Sequence, residues 1–159
     1  MAISPKLDSY LTEHNISYQM IEHHHSTSSI GSAIMAKVPF NQIAKAVILK
    51  DHEDRKLMAI LPAKNKISLS ALNDELFASY HLLKEKEVYR MFSDCEHGAI
   101  PPVGEAYNIN TVCDEMLDSL DVVYIEAGDH QNLLGISHDD FQTMVADCKH
   151  LRFSREVFH

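Results

Sequence analysis

The sequence predicts one α+β domain with a mixed, largely antiparallel β-sheet flanked by helices. At 159 residues the chain is long enough for one hydrophobic core. Its apolar residues recur at both helical and strand spacing, without the regular strand–helix alternation of a doubly wound fold. The chain has no internal repeat and no linker, so residues 1–159 are expected to form a single domain.

The first predicted elements are a helix and a strand. Ser4 and Pro5 precede apolar residues at helical spacing, which is typical of a helix with Ser4 as N-cap and Pro5 in its first turn. This helix is expected to end near Asn15. Alternating apolar and polar residues then predict a strand over residues 16–21.

A second helix and a β-hairpin are predicted next. Ser28 or Ser29 is a candidate N-cap for a helix that Pro39 ends. Apolar runs at 44–49 and 56–61 flank a polar segment, and this arrangement predicts two antiparallel strands.

The remaining elements are predicted from shorter patterns. They are a helix opened by Ser68 or Ser70 and bearing Leu72, Leu76 and Phe77, a helix with apolar positions at Leu82, Leu83, Val88 and Met91, strands near 110–113, 122–125 and 133–136, and a last helix from Ser137 or His138 with a short tail. The segment 98–104 contains two Gly and two Pro residues, so we expect a loop there.

Composition excludes several classes of protein. The chain has 14 basic and 23 acidic residues, whereas a protein that coats DNA non-specifically needs an excess of positive charge. No apolar run reaches the ~20 residues that span a bilayer, and the N-terminus lacks a signal-peptide pattern. We therefore expect neither a DNA nor a membrane partner. Three cysteines without Cys-x-x-Cys spacing favour a reducing, cytoplasmic location.

Positive charge is concentrated in one stretch. Seven basic residues lie between Lys37 and Lys66 against three acidic ones, whereas no Lys or Arg occurs between Met91 and Cys148. This pattern indicates either a basic face on an acidic body or a pair of surface strands with solvated lysines.

The 98–104 loop is the first candidate for chemistry. Gly98 and Gly104 permit positive φ and close backbone approach, and Pro101 and Pro102 stiffen the segment between them. Rigid backbone amides are typical of an oxyanion site. The candidate donors are the amides of Gly98, Ala99, Ile100, Val103 and Gly104. The alternative is a stiff connection between a helix and a strand.

Two side chains are further candidates. Lys45 interrupts the apolar run 43–49 on a face that is expected to be inward, where a lysine needs an anion such as phosphate or loses its charge. An edge lysine that extends to solvent is the alternative. His130 lies in a turn between two predicted strands, where its side chain is able to reach into a cleft.

Other reactive residues have simpler interpretations. The consecutive histidines 23–25 point in different directions, and no His-x-x-x-His or Cys-x-x-Cys pattern accompanies them, so we expect no metal site. Nearby carboxylates raise the pKa of Cys95, which favours an idle thiol over a nucleophile. Asp139 and Asp140 are expected to begin the last helix, where negative charge is favourable.

Three segments together resemble a known family. Lys45 in the first hairpin strand, residues 95–104 and residues 127–130 are similar to motifs of the YbaK/prolyl-tRNA synthetase-associated domain family, the bacterial aminoacyl-tRNA editing domain. The most specific element is the Gly-x-x-x-Pro loop, matched by Gly98 and Pro102. The resemblance covers nearly the whole chain.

The resemblance implies a reaction and roles for three catalytic residues. Family members hydrolyse the ester that joins a wrong small amino acid, such as Ala, Ser, Cys or Thr, to the terminal adenosine of a tRNA, without metal or cofactor. By this resemblance Lys45 holds the tRNA end, the loop from Gly98 to Pro102 holds the aminoacyl carbonyl, and His130 lines the site. An ordered water attacks with help from the substrate's ribose hydroxyl.

The resemblance also implies substrate contacts and partners. The loop contributes Ala99, Ile100, Pro101, Pro102 and Gly104. The strand, loop and helix that are expected to face the lysine strand supply the candidate pocket-wall residues, which are Tyr18, His25, Thr27, Ser28, Ile30 and Ile34. The aminoacylated tRNA acceptor end is the expected partner, with an aminoacyl-tRNA synthetase as a further candidate. Two alternatives remain open: a non-catalytic tRNA- or nucleotide-binding regulator and a thiol-dependent enzyme using Cys95.

Overall fold

The computed structural model describes residues 3–25 and 29–156, except for the side chains of residues 29, 30 and 35. The helices in these ranges are α1 (Pro5–Glu13), α2 (Ser29–Ala36), α3 (Leu69–Leu76), α4 (Glu85–Met91) and α5 (His138–Met144). The strands are β1 (Gln19–Glu22), β2 (Ala44–Lys50), β3 (Lys56–Pro62), β4 (Asn65–Ile67), β5 (His81–Leu82), β6 (Asn110–Asp114), β7 (Val122–Glu126), β8 (Asn132–Ser137), β9 (Lys149–Leu151) and β10 (Ser154–Glu156).

Most of the strands belong to two mixed or antiparallel sheets. A five-stranded sheet has the order β5-β2-β3-β6-β9, with antiparallel pairs around β2 and parallel pairs around β6. The antiparallel three-stranded sheet has the order β1-β8-β7, and β10 pairs with β4. A parallel bridge between Ile43 and Tyr124 joins the two large sheets. The predicted α+β class, with antiparallel pairing dominant, is confirmed.

Strand β2 is covered on both faces, which decides the setting of its lysine. Ala44 and Ile48 are buried in the main core beside α1 and α5. Leu49 on the opposite face belongs to a second cluster, which Leu72 of α3 closes. A charged side chain within this strand therefore has little access to water.

Serine caps set the start of several helices, as the sequence predicts. The hydroxyl of Ser4 accepts a hydrogen bond from the Leu7 amide, and Ser68 and Ser137 cap α3 and α5 in the same way. Pro5 occupies the first turn of α1, and α5 begins with the predicted pair of aspartates. None of the described helices is long and apolar enough to cross a lipid bilayer.

Two predicted boundaries are wrong at the N-terminal side of an element. The strand predicted over 16–21 is β1, Gln19–Glu22, because Ile16 packs into the core immediately after the helix and before pairing with β8 begins. The helix predicted from Leu82 begins at Glu85. Leu82 instead lies in β5 and pairs with Leu49 of β2.

Two other predictions are wrong beyond the end of a helix. Phe77 does not lie on the apolar face of α3: it is the C-cap, with φ of 52°, and is 95% exposed. The segment predicted as a short tail contains β9 and β10, which extend the sheets by pairing with β6 and β4.

Candidate functional site

The glycine–proline loop is held against the β7–β8 turn by two hydrogen bonds. The Glu96 amide donates to the Gly128 carbonyl at 2.8 Å, and His130 Nε2 lies 2.6 Å from the His97 carbonyl oxygen. Gly98 and Gly128 have φ of 80° and 105°, in the region that favours glycine. The structure thus brings the predicted Gly98 and His130 segments together.

Internal hydrogen bonds occupy part of the loop's donor set. The Ala99 amide donates to the Glu96 carbonyl at 3.1 Å, and the Val103 amide to the Pro101 carbonyl at 2.8 Å. The Gly98 amide bonds the hydroxyl of Tyr89, which opposes the increase in the pKa of that tyrosine caused by burial.

Two of the five predicted amide donors remain available. Among the described residues, the amides of Ile100 and Gly104 have no hydrogen-bond partner. Pro101 and Pro102 are buried and brace the loop from below. Gly104 also has a packing role, because a Cβ there would overlap the Thr111 hydroxyl.

His130 is buried rather than open to a cleft. It is 2% exposed and has φ of 55°. A carbonyl oxygen only accepts hydrogen bonds, so His130 Nε2 carries the proton that it donates to His97. Its Nδ1 has no hydrogen-bond partner among the described residues and lies 3.8 Å from Glu126 Oε1.

Glu126 is a buried carboxyl beside the predicted His130 that sequence reasoning missed. It is 2% exposed at the end of β7. Burial and, secondarily, the charge of Asp129 raise the pKa of Glu126 to about 8, although a hydrogen bond from Ser32 lowers it. A carboxyl group that ends an apolar strand was the available sequence signal.

Lys45 is half-buried on β2, and its partner across the β2–β3 pair is the fully buried Leu61. Burial alone lowers the pKa of Lys45, since no carboxylate in the described ranges contacts its ammonium. Its half-burial lies between the two predicted alternatives, an inward lysine and an edge lysine that extends to solvent.

The position of Lys45 along its strand corresponds to that of Glu126. Strands β2 and β7 run in the same direction from the bridge between Ile43 and Tyr124. Lys45 and Glu126 each follow their bridged residue by two positions. The lysine and the turn that holds the loop therefore lie at the same end of the β2–β7 junction.

Most of the basic stretch is neutralised by ion pairs. Its paired members are Lys50 with Glu87 and Asp54, Arg55 with Asp51 and Glu53, Lys56 with Asp54, and Lys64 with Glu156. Acids thus compensate four of the seven residues of the predicted basic face, and Lys37, Lys45 and Lys66 have no ion pair among the described residues. Lys45 differs from these four by lacking an acidic partner among the described residues.

Part of the predicted pocket wall lies within the described residues. Thr27 and Ser28 lie outside the described residues, and Ile30 is placed in α2 by its backbone. The neighbouring His25 Nε2 lies 3.1 Å from Glu96 Oε1, and its ring meets that of His130 edge-on at 6.1 Å. His25 thus contacts Glu96, just before the loop, and His130 in the turn.

Cys95 belongs to a hydrogen-bonded cluster. Its Sγ lies 3.3 Å from Asp94 Oδ1 and 3.3 Å from the Tyr107 hydroxyl, and Ser4 bonds both of those partners. Burial, more than any neighbouring charge, raises the pKa of Cys95 to about 12. The predicted direction is confirmed, with Asp94 rather than Glu96 as the contributing carboxylate, and the thiol is a poor nucleophile.

One group in the described part of the chain has the spacing of metal ligands. Single ligand atoms of Cys113, Asp118 and His150 lie within 4.8 Å of one another. His150 Nδ1 lies 2.8 Å from Asp118, and Nε2 lies 3.0 Å from the Val145 carbonyl. Burial lowers the pKa of His150, but these two hydrogen bonds together with the charges of Asp118 and Glu115 outweigh it, and the net shift is upward. Both ring nitrogens therefore already have partners, as a protonated histidine requires.

Comparison with known proteins decides the family. The model of the aminoacyl-tRNA editing domain matches residues 24–144, which include Lys45, the loop and His130. The chain belongs to the aminoacyl-tRNA editing domain family. The search of the curated proteins found no match.

Solved structures share the fold of this editing domain. The structure of hypothetical protein APE2540 is 19% identical, with a TM-score of 0.82 over 94% of this chain and 99% of that chain. A structure described as "a putative trans-editing enzyme for prolyl tRNA synthetase" is 16% identical, with a TM-score of 0.81 over 96% of each chain. At these identities the likeness is one of fold.

Proposed function

We propose that this editing domain is a trans-editing deacylase for tRNA mischarged with a small amino acid such as Ala, Ser, Cys or Thr. The observation that carries the proposal is Lys45, a half-buried cation without an acidic partner among the described residues. Its strand is bridged to β7, which leads into the turn that holds the loop. We place the activity in the reducing cytoplasm, which the free cysteines favour.

Lys45 would hold the RNA end through a phosphate. Its ammonium has already lost part of its hydration on folding, so a bound anion restores favourable charge interactions. The four ion-paired basic residues have less to gain from phosphate, because they would first give up their carboxylates. A half-buried lysine without an ion pair therefore gains more from a bound phosphate than these four residues do.

The loop would hold the acyl group. The available amides of Ile100 and Gly104 are the candidate donors to the ester carbonyl oxygen, and they strengthen their hydrogen bonds as negative charge develops there. A water molecule attacks the carbonyl carbon, and the ester bond to the ribose oxygen breaks. The leaving oxygen takes up a proton, which yields free amino acid and tRNA with a ribose hydroxyl.

His130 would position the loop instead of transferring protons. Its Nε2–H donates a hydrogen bond to the His97 carbonyl, and its Nδ1 faces the buried Glu126. Orientation of the attacking water is then assigned to the neighbouring ribose hydroxyl of the substrate. An activated ester needs only this positioning and oxyanion stabilisation.

A deacylation panel tests the proposal. The proline-specific tRNA, tRNA(Pro), and several other tRNAs are charged with Ala, Ser, Cys, Thr and Pro, and loss of each ester is followed with and without the protein. We expect hydrolysis of at least one small mismatched ester and protection of the larger correct one, because a small pocket excludes by size. Binding of these tRNAs without any hydrolysis would contradict the proposal and favour a regulator that only binds RNA.

A further inference from the structure

His97 presents an aromatic ring beside the loop. The ring lies face to face with that of Tyr89 from α4, with centroids 3.5 Å apart and planes within 5° of parallel. His97 is exposed and Tyr89 is half-buried. Tyr89 covers one face of the imidazole, and the exposure of His97 leaves its ring accessible to a further planar group.

Hydrogen bonds on both sides fix the position of this ring. The carbonyl of His97 accepts from His130 Nε2 at 2.6 Å, and the amide of the next residue, Gly98, bonds the Tyr89 hydroxyl. The backbone is thus tied to the β7–β8 turn, and the supporting ring is tied to the loop. Little conformational entropy remains to be lost when a planar ligand binds.

We propose that His97, supported by Tyr89, is a stacking platform for the base of the terminal nucleotide of the acylated RNA. The inference rests on the proposed function. Single-stranded nucleotides are held by stacking of their bases on aromatic side chains. His97 directly precedes Gly98, so a base on this ring belongs to the nucleotide whose acyl group the loop holds.

The charges around the platform are compatible with RNA. Arg90, next to Tyr89 in the last turn of α4, is exposed and has no ion pair among the described residues. Glu96, on the other side of His97, is paired with His25 at 3.1 Å. Glu85 is a second acidic neighbour of the platform and is hydrogen-bonded to the Tyr89 hydroxyl, so both acids already have partners within the fold.

Fluorescence tests the platform without requiring catalysis. The probe is an RNA acceptor stem that ends in 2-aminopurine and carries an aminoacyl group through a non-hydrolysable amide. We expect stacking to quench the probe with the unaltered protein and with His97→Phe, but not with His97→Ala. His52→Ala, at another exposed histidine, is the matched control and is expected to retain the quenching.

Kinetics with a substrate that lacks the terminal base separates stacking from a structural role. On the complete mischarged RNA, His97→Ala is expected to lower kcat/KM by about 5- to 150-fold, and His97→Phe to restore most of it. On the abasic substrate His97→Ala is expected to change kcat/KM by less than about 2-fold. An equal loss on both substrates would overturn the platform, since His97 would then act on the loop alone.

The two proposals fail in different ways. If the unaltered protein quenches the amide probe but hydrolyses no mischarged tRNA, the deacylase proposal fails and the platform stands. If it hydrolyses mischarged tRNA with no quenching and no dependence on the terminal base, the platform fails and the deacylase proposal stands. Thermal unfolding of each variant confirms that it is folded.

Discussion

Strand β2 carries a lysine at each end, and the two lysines have opposite surroundings. Lys50 lies 3.2 Å from Glu87 and 3.8 Å from Asp54, so its charge is compensated within the fold. Lys45 is half-buried with no carboxylate contact in the described ranges, and burial lowers its pKa. Lys50 is therefore compensated within the fold, whereas Lys45 is free for the proposed binding of an anion from outside the chain.

Two buried acids repeat this contrast. Asp114, at the end of β6, accepts hydrogen bonds from the amides of Met116 and Phe153 and from the Ser154 hydroxyl, at 2.9, 3.1 and 2.7 Å. Glu126, at the end of β7, has its pKa raised to about 8 by burial. Asp114 is thus satisfied within the fold, whereas the burial of Glu126 is poorly compensated.

The largest expected effect on stability is that of Asp114→Ala. The substitution leaves up to three buried donors without an acceptor, so we expect the free energy of unfolding to fall by about 3–5 kcal/mol. Chemical denaturation measures the change, and kcat/KM of the folded fraction should be unaltered. The exposed Asp74→Ala is the control. A loss below about 1 kcal/mol would contradict the claim that Asp114 stabilises the fold.

The next effect is a change of stability with pH that Glu126 causes. Its pKa rises from the ordinary 4.5 in the unfolded chain to about 8 in the folded one. Between pH 4.5 and pH 8 the folded state therefore keeps a proton on Glu126 that the unfolded chain has lost. Stability from this group is complete below about pH 4.5 and is lost as the pH rises towards 8, with a slope of at most about 1.4 kcal/mol per pH unit. Glu126→Gln should remove this slope.

Denaturation of Glu126→Gln across pH 5–8 provides the check. The groups that face Glu126 are Asp129, Ser32 and His130, so the glutamine keeps the neutral form's shape beside them. Glu87→Gln, which changes the carboxylate paired with Lys50, is the matched control and should leave the slope in place. Identical pH profiles for Glu126→Gln and the unaltered protein would show that Glu126 is ionised in the folded state.

The smallest effect is expected at Cys95. Because burial raises the pKa of its thiol to about 12, the thiolate is scarce at neutral pH. Cys95→Ala should keep kcat/KM for deacylation within about 2-fold and lower the free energy of unfolding by about 1 kcal/mol through the lost contacts. Loss of most of the activity, or its inactivation by a thiol-alkylating reagent, would instead identify a thiol-dependent enzyme.

Local patterns predicted most of the fold. Serine caps, apolar runs and turn residues act over a few positions, so α1, the β2–β3 hairpin and the β7–β8 pair were predictable. Strand β9 was not, because three residues from Lys149 to Leu151 become a strand only by pairing with β6. That pairing depends on contacts distant in the sequence.

The site was predictable where a residue conflicts with its own element. Lys45 interrupts an apolar strand, and this conflict is visible in the sequence. The position of His130 in a turn was also predictable, but its role was not, because its hydrogen-bond partner His97 lies 33 positions away. Glu126 was missed because its burial is a product of packing between sheets.

The most direct test of the account compares Lys45→Met with Lys50→Met. Both substitutions remove a charge from β2 and keep an apolar side chain of similar length. With the mischarged tRNA that the unaltered protein hydrolyses fastest, we expect Lys45→Met to lower kcat/KM by about 10- to 150-fold and Lys50→Met by less than about 2-fold. Equal losses, or full activity of Lys45→Met, would contradict the claim that the unpaired lysine binds the RNA.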